Sequence, residues 1–270
     1  MNRLILIGNG FDLAHGLKTS YKDFIFWYLD ECFNKAGMSA NGQFYEDEFI
    51  RVEILEHYRL MNLARNAGEE GISKYLYDKG ELRNYLDYKY DQTYISPNNI
   101  KKYNFVSESL AHVILLKSKF FKNLLYTCLD CGWVDIEQEY FNTLKKFNDQ
   151  QNSHDPDYIR TLNKNFNFLK NKLEEYLIPQ DRQFDQRLNF QLVKQLGQEF
   201  NIHDFDPSIA ENELRAKLGK DDSIPYVNKV YILNFNYTDT FYNYIKEVKS
   251  NTFSKIEINH IHGQLNDLDN

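Results

Sequence analysis

The segment Leu4-Ile5-Leu6-Ile7-Gly8-Asn9-Gly10-Phe11-Asp12 fixes the expected architecture at the start of the chain. Four apolar residues in a row, closed by glycine, predict a short strand buried on both faces of a parallel sheet. Phe11 to His15 then has the pattern of a short helix, with Gly16 as its left-handed cap. Ser20 caps a second helix, with Asp23 three residues on as its capping-box partner. Phe24, Ile25, Tyr28, Leu29 and Cys32 recur along it at helical spacing.

Strands return only near the other end of the chain. Val230-Tyr231-Ile232-Leu233 is a second apolar run, and Ile256 to Ile261 is a third, bounded by Gly263. Thr240 to Lys249 between them reads as a connecting helix, so the pair forms a βαβ unit and implies a parallel sheet. The expected architecture is α/β. A Rossmann-like parallel sheet is built from the N- and C-terminal segments, 1–42 and 226–270, around a large all-helical insertion, 43–225.

Within that insertion, Asp135 is placed to cap a helix carrying Ile136, Tyr140, Phe141 and Leu144. Asp155-Pro156 is a helix start, proline being tolerated at the first helical position. The helix it opens carries Ile159, Leu162, Phe166, Leu169, Leu173 and Tyr176 near a heptad seam, and Pro179 is expected to stop it. Such a stripe reads first as intramolecular core and second as a homo-oligomer contact.

Composition bounds the function. The chain has 270 residues, 42% hydrophobic and 16% aromatic, with 20 Tyr, 20 Phe, only 12 Gly and 5 Pro, which favours packed helices over turn-rich β-structure. A net charge of −7 argues against nonspecific grip on nucleic acid, which needs clustered Lys and Arg. Lys145-Lys146 and Lys164, Lys170 and Lys172 thicken one region, best read as solvated helix faces. The longest apolar stretch, around Leu110 to Leu116, is interrupted by His112 and too short to span a membrane. Three cysteines cannot pair fully, so reduced thiols in a cytoplasm are the plain reading. Cys128 and Cys131 have metal-knuckle spacing but lack a second pair of ligands, and no metal is expected there.

Ligands of open α/β sheets bind beyond the carboxyl ends of the strands. Three polar clusters fall at such ends here: Gly8-x-Gly10, Asn234-Phe235-Asn236-Tyr237-Thr238-Asp239, and His262-Gly263. Gly8 and Gly10 let backbone N–H groups approach phosphate oxygens, or simply make a tight turn, since Leu13 replaces the last glycine of the dinucleotide fingerprint. Asn236 suits ribose hydroxyls or a water, or a turn. His262 suits a general base, although His260 shares its face under period-two alternation. Asp12 would repel phosphate unless it faces a developing positive charge. Asp135 and Glu139 share a helix face and offer a third reading as a Mg²⁺ site, while Glu137 points elsewhere and capping explains Asp135.

The run from Leu6 to Tyr21 resembles the opening signature of the AbiH-type bacteriophage abortive-infection family. Phe235-Asn236-Tyr237-Thr238-Asp239 and Ile261-His262-Gly263 resemble two further signatures of that family, and Trp133-Val134-Asp135-Ile136-Glu137 a central one. More distantly, the terminal motifs are similar to the NAD site of sirtuins and sirtuin-like NADases. Gly8, Gly10 and Gly16 match its glycine loop, Asn236 its asparagine and His262 its catalytic histidine. The four-cysteine zinc module of deacylating sirtuins has no counterpart, so the resemblance implies NAD hydrolysis rather than deacylation. It implies a cytoplasmic anti-phage protein with a phage-derived trigger, cleaving the nicotinamide–ribose bond through an oxocarbenium-like sugar. Gly8, Asn9 and Gly10 would hold the pyrophosphate. Asn236 would position the ribose and water, His262 would accept a proton, and Asp12 would stabilise the cationic sugar. Phe11, Asn234, Tyr237 and Asp239 complete the expected cofactor-binding set. The alternative is a non-catalytic nucleotide-sensing or partner-binding module.

Overall fold

The computed structural model describes residues 2–39, 44–86, 112–131, 136–149, 156–182, 188–197, 229–248 and 255–265. Its backbone contacts divide the chain into two compact units: Met1–Thr19 with Leu177–Asn270, and Ser20–Tyr176.

The first unit joins the two chain ends. Strand β1 (Asn2–Ile7) pairs in parallel with β5 (Lys229–Asn234), which pairs in parallel with β6 (Lys255–His260), giving the order β1-β5-β6. Helix α1 (Gly10–Ala14) follows β1, and Gly16 takes φ 77 just beyond it, as the cap pattern predicts. Helix α9 (Phe190–Leu196) and helix α10 (Thr240–Glu247) belong to the same unit. Alternate residues of the strands, Ile7, Val230 and Ile232, turn inward against Phe241 and Tyr244 of α10. The expected βαβ unit is therefore present, with its helix ending at Glu247; Lys249 lies outside the described residues.

One expectation for β1 is overturned. Leu4 is 61% and Leu6 62% exposed, so the strand buries a single face. It is an edge strand of a three-stranded sheet, and only Ile5 and Ile7 meet the packed side. A continuous apolar run cannot distinguish one buried face from two.

The second unit corrects the all-helical insertion. Strands β2 (Phe44–Glu46), β3 (Ile50–Ile54) and β4 (His112–Leu116) form an antiparallel sheet in that order. Ile50, Val52 and Ile54 point inward, while Arg51 and Glu53 pair outward at 2.7 Å. The sheet packs with helix α2 (Tyr21–Met38), whose Ser20 cap accepts from the Asp23 N–H at 3.1 Å. All five apolar positions predicted on α2 are buried. Helices α3 (His57–Ala67), α4 (Ile72–Asp78), α5 (Leu82–Leu86), α6 (Lys119–Cys131) and α7 (Ile136–Asp149) complete the described part. Phe49 and Phe121 stack in its core, with centroids 4.5 Å apart.

Helix α8 (Pro156–Arg182) begins at the predicted proline but runs through Pro179. Leu162, Leu169, Leu173 and Tyr176 of its stripe are buried and Ile159 is exposed. Asp135, Asp155 and most of the central signature, Trp133 to Asp135, lie outside the described residues. Glu139 accepts from Asn123 at 2.9 Å, Cys128 is buried and Cys131 exposed. Among the described residues no helix is long and apolar enough to cross a membrane.

Candidate functional site

The three polar clusters come together in the first unit because three parallel strands end at one edge. The ladder extends past the strands: Phe235 N–H donates to the Ile7 carbonyl at 2.8 Å, and Ile261 N–H to the Asn234 carbonyl at 2.9 Å. Each loop leaving the sheet is thus tied to its neighbour before it diverges.

The second cluster alternates in burial. Asn234, Asn236, Thr238 and Thr240 are buried, whereas Phe235 is 39% exposed. Asn234 Oδ1 accepts from the Asn236 N–H at 3.0 Å, an Asx turn that folds the chain over the strand end. Asn236 Nδ2 then donates to the Gly8 carbonyl at 3.2 Å, joining the second loop to the first. Its Oδ1 is buried with no hydrogen-bond partner among the described residues.

Asp12 makes the other connection. It is 1% exposed, and its Oδ2 accepts from Thr238 Oγ1 at 2.6 Å. Its Oδ1 is likewise buried with no partner among the described residues. Burial pushes its carboxyl above the ordinary carboxylate value, the Thr238 and Thr240 hydroxyls pull it back, and the charge of Asp181 pushes it up again. Asp181 accepts from the Asp239 N–H at 3.0 Å, and burial raises it too. A buried polar atom without a partner costs free energy, so two of them at one strand edge call for an explanation.

Gly8, Asn9 and Gly10 form the exposed rim. Neither glycine has a positive φ, and a Cβ built on either meets nothing within 4 Å. A tight turn would require glycine through one or the other. Neither requirement exists here. Asn9 Oδ1 is held by Thr19 Oγ1 at 2.6 Å. Phe11 lies against Phe241 and Tyr244, both ring pairs 5.3 Å apart, and so serves the core as well as the turn.

The histidines separate. His260 ends β6 with Nδ1 3.4 Å from Asn234 Nδ2, whereas His262 lies beyond the strand and is exposed. Its ring is 5.8 Å from that of Phe235 and 5.9 Å from that of Tyr237. Period-two alternation ends with the strand, so the two rings do not share an environment. The last loop is fastened by Leu265 N–H to the Tyr237 carbonyl at 3.1 Å and by Gln264 Nε2 to Asp239 Oδ1 at 2.7 Å. Thr238 was read only as a member of the second cluster, with no role of its own, and Thr240, Asp181 and Gln264 were not singled out by the sequence. The threonines' two-residue spacing around Asp239 was the one signal available.

The family model for bacteriophage abortive infection AbiH matches residues 4–270, almost the whole chain. The chain belongs to this family. AbiH membership gives the protein a role in abortive infection, a defence against bacteriophage. Comparison with curated proteins and with solved structures gives no match. The first unit of this AbiH chain gathers the ends of β1, β5 and β6, with the loops that follow them, at one strand edge.

Proposed function

We propose that this edge binds NAD and hydrolyses its nicotinamide–ribose bond as the effector step of abortive infection. The observation that carries the reading is the pair Gly8 and Gly10, glycines that neither φ nor packing requires, set on an exposed rim beside the buried, unpartnered Oδ1 of Asn236. The space a Cβ would occupy suits a close approach by pyrophosphate oxygens to backbone N–H groups. The Asn236 carbonyl is an acceptor awaiting a donor, and a ribose hydroxyl or the attacking water supplies one.

In the proposed reaction the C–N bond breaks with its electron pair going to the nicotinamide nitrogen. The sugar becomes oxocarbenium-like, and the water oxygen bonds to its anomeric carbon. His262, exposed beyond the end of β6, takes the water's proton. Asp12 is enclosed, so in this reading it holds the first and second loops together through Thr238 and acts on the sugar through their placement.

Incubation of the purified protein with NAD tests this. Nicotinamide and ADP-ribose should appear together, and His262→Ala should slow their release about 100-fold or more while leaving the melting temperature unchanged. NAD left intact by the wild-type protein overturns the hydrolysis. A second reading, a sensing module without turnover, is favoured by the enclosure of Asp12. Thermal stabilisation by NAD without nicotinamide release would select it; saturation at a hundredfold excess over Kd contributes about 2.7 kcal/mol.

A further inference from the structure

Phe235 is the residue at this edge to which neither the buried network nor the glycine rim assigns a role. It stands between the buried Asn234 and Asn236 yet is 39% exposed. Its ring meets the exposed His262 imidazole at 5.8 Å with planes 58° apart, and Tyr237 meets the same imidazole at 5.9 Å and 39°. Both rings meet the imidazole at a tilt, so neither covers its whole face.

The array is held in place by the backbone. Phe235 N–H is bound to Ile7, Ile261 N–H to Asn234 and Leu265 N–H to Tyr237, so the loops carrying the rings are tied to each other and to the sheet. A rigid, half-open set of aromatic faces beside a glycine rim is the arrangement that stacks a flat ring, since aromatic faces attract other π-systems in offset or tilted geometry.

We infer that Phe235, with Tyr237 and His262, forms a stacking subsite for the planar heteroaromatic ring of a ribose-borne ligand. This rests on the proposed nucleotide reading and adds to it the group recognised and a residue that recognises it. Nicotinamide and adenine share the chemistry, and the binding test separates them.

Titration calorimetry on the whole chain uses three probes: nicotinamide mononucleotide, AMP, and ribose 5-phosphate, which has no ring. Phe235→Ala should weaken the ring-bearing probe that uses the subsite about tenfold or more, the scale of lost base stacking. Ribose 5-phosphate should be unaffected. Phe235→Leu, which keeps bulk without a π-face, should lose affinity as Phe235→Ala does, and Phe235→Trp should retain it. Equal affinity of wild type and Phe235→Ala for both ring-bearing probes overturns the inference while leaving the nucleotide reading intact. A wild-type protein that binds none of the three overturns that reading and the inference with it. Loss of self-association in Phe235→Ala, with unchanged ligand affinity, would reassign the rings to a contact between copies.

Discussion

Both units enclose carboxylates, Asp12 fully in the first and Asp30, Glu31 and Asp47 by half in the second, and they treat them differently. In the second unit Asp47 accepts from the Tyr28 hydroxyl at 2.7 and 2.9 Å and from the Phe49 and Ile50 N–H groups at 2.9 and 3.1 Å. Asp30 accepts from both the N–H and the hydroxyl of Ser73 at 2.8 Å. Even Glu31, whose Oε2 makes no hydrogen bond among the described residues, is ion-paired with Lys35 at 2.5 Å and Lys172 at 3.7 Å. In the first unit Asp12 and Asn236 each keep one buried oxygen without a partner among the described residues, and Gly8 and Gly10 at the same edge have nothing within 4 Å of a built Cβ. Satisfied acceptors build architecture, and unsatisfied buried ones call for an explanation.

Glycines sharpen the contrast first and with the largest expected effect. Gly71 has φ 86 and ψ 155, a region essentially reserved for glycine, and a Cβ there would lie 3.0 Å from Asp30 Cγ and closer still to Oδ2. Gly71→Ala should cost about 3–5 kcal/mol in chemical denaturation, combining backbone strain with displacement of the Asp30 carboxylate from Ser73. A variant as stable as wild type would break the comparison on its architectural side.

Asp47→Ala comes next. It strands the buried Tyr28 hydroxyl and removes acceptors from two backbone N–H groups, so unfolding free energy should fall by about 3 kcal/mol. A loss below about 1 kcal/mol would show the hub to be incidental.

Asp12→Asn has the smallest expected effect on stability and a particular pH signature. Burial raises the Asp12 carboxyl, so the folded protein holds that proton more tightly than the unfolded chain. Its contribution is greatest at low pH and is lost as pH rises from the ordinary carboxylate value through the raised one, by up to ~1.4 kcal/mol per pH unit in that window. Asp12→Asn, neutral throughout, should flatten that part of the stability curve. Identical slopes for wild type and variant would contradict the raised acid.

The parallel sheet was legible because its strands announce themselves: Leu4 to Ile7 and Val230 to Leu233 are apolar runs closed by Gly8 and Asn234. The antiparallel sheet was not. Ile50-Arg51-Val52-Glu53-Ile54 does alternate, but β2 is only three residues long and β4, read as an interrupted apolar stretch, pairs with β3 from about sixty residues away. Sequence-local patterns carry no such pairing. At the site, Gly8, Asn236 and His262 stood out by residue type. The Asp12–Thr238 bond joins residues 226 positions apart, and Asp181 follows a proline the helix absorbs, so neither partner could be read from its neighbours.

If Gly8 and Gly10 leave room for a ligand, a side chain placed there must weaken binding without harming the fold. Calorimetric titration of ADP-ribose into wild type and Gly8→Ala tests it most directly. Wild type should bind, and Gly8→Ala, whose Cβ intrudes only on the ligand's space, should bind about tenfold or more weakly with its melting temperature unchanged or slightly raised. Equal affinity of the two proteins for ADP-ribose would contradict it.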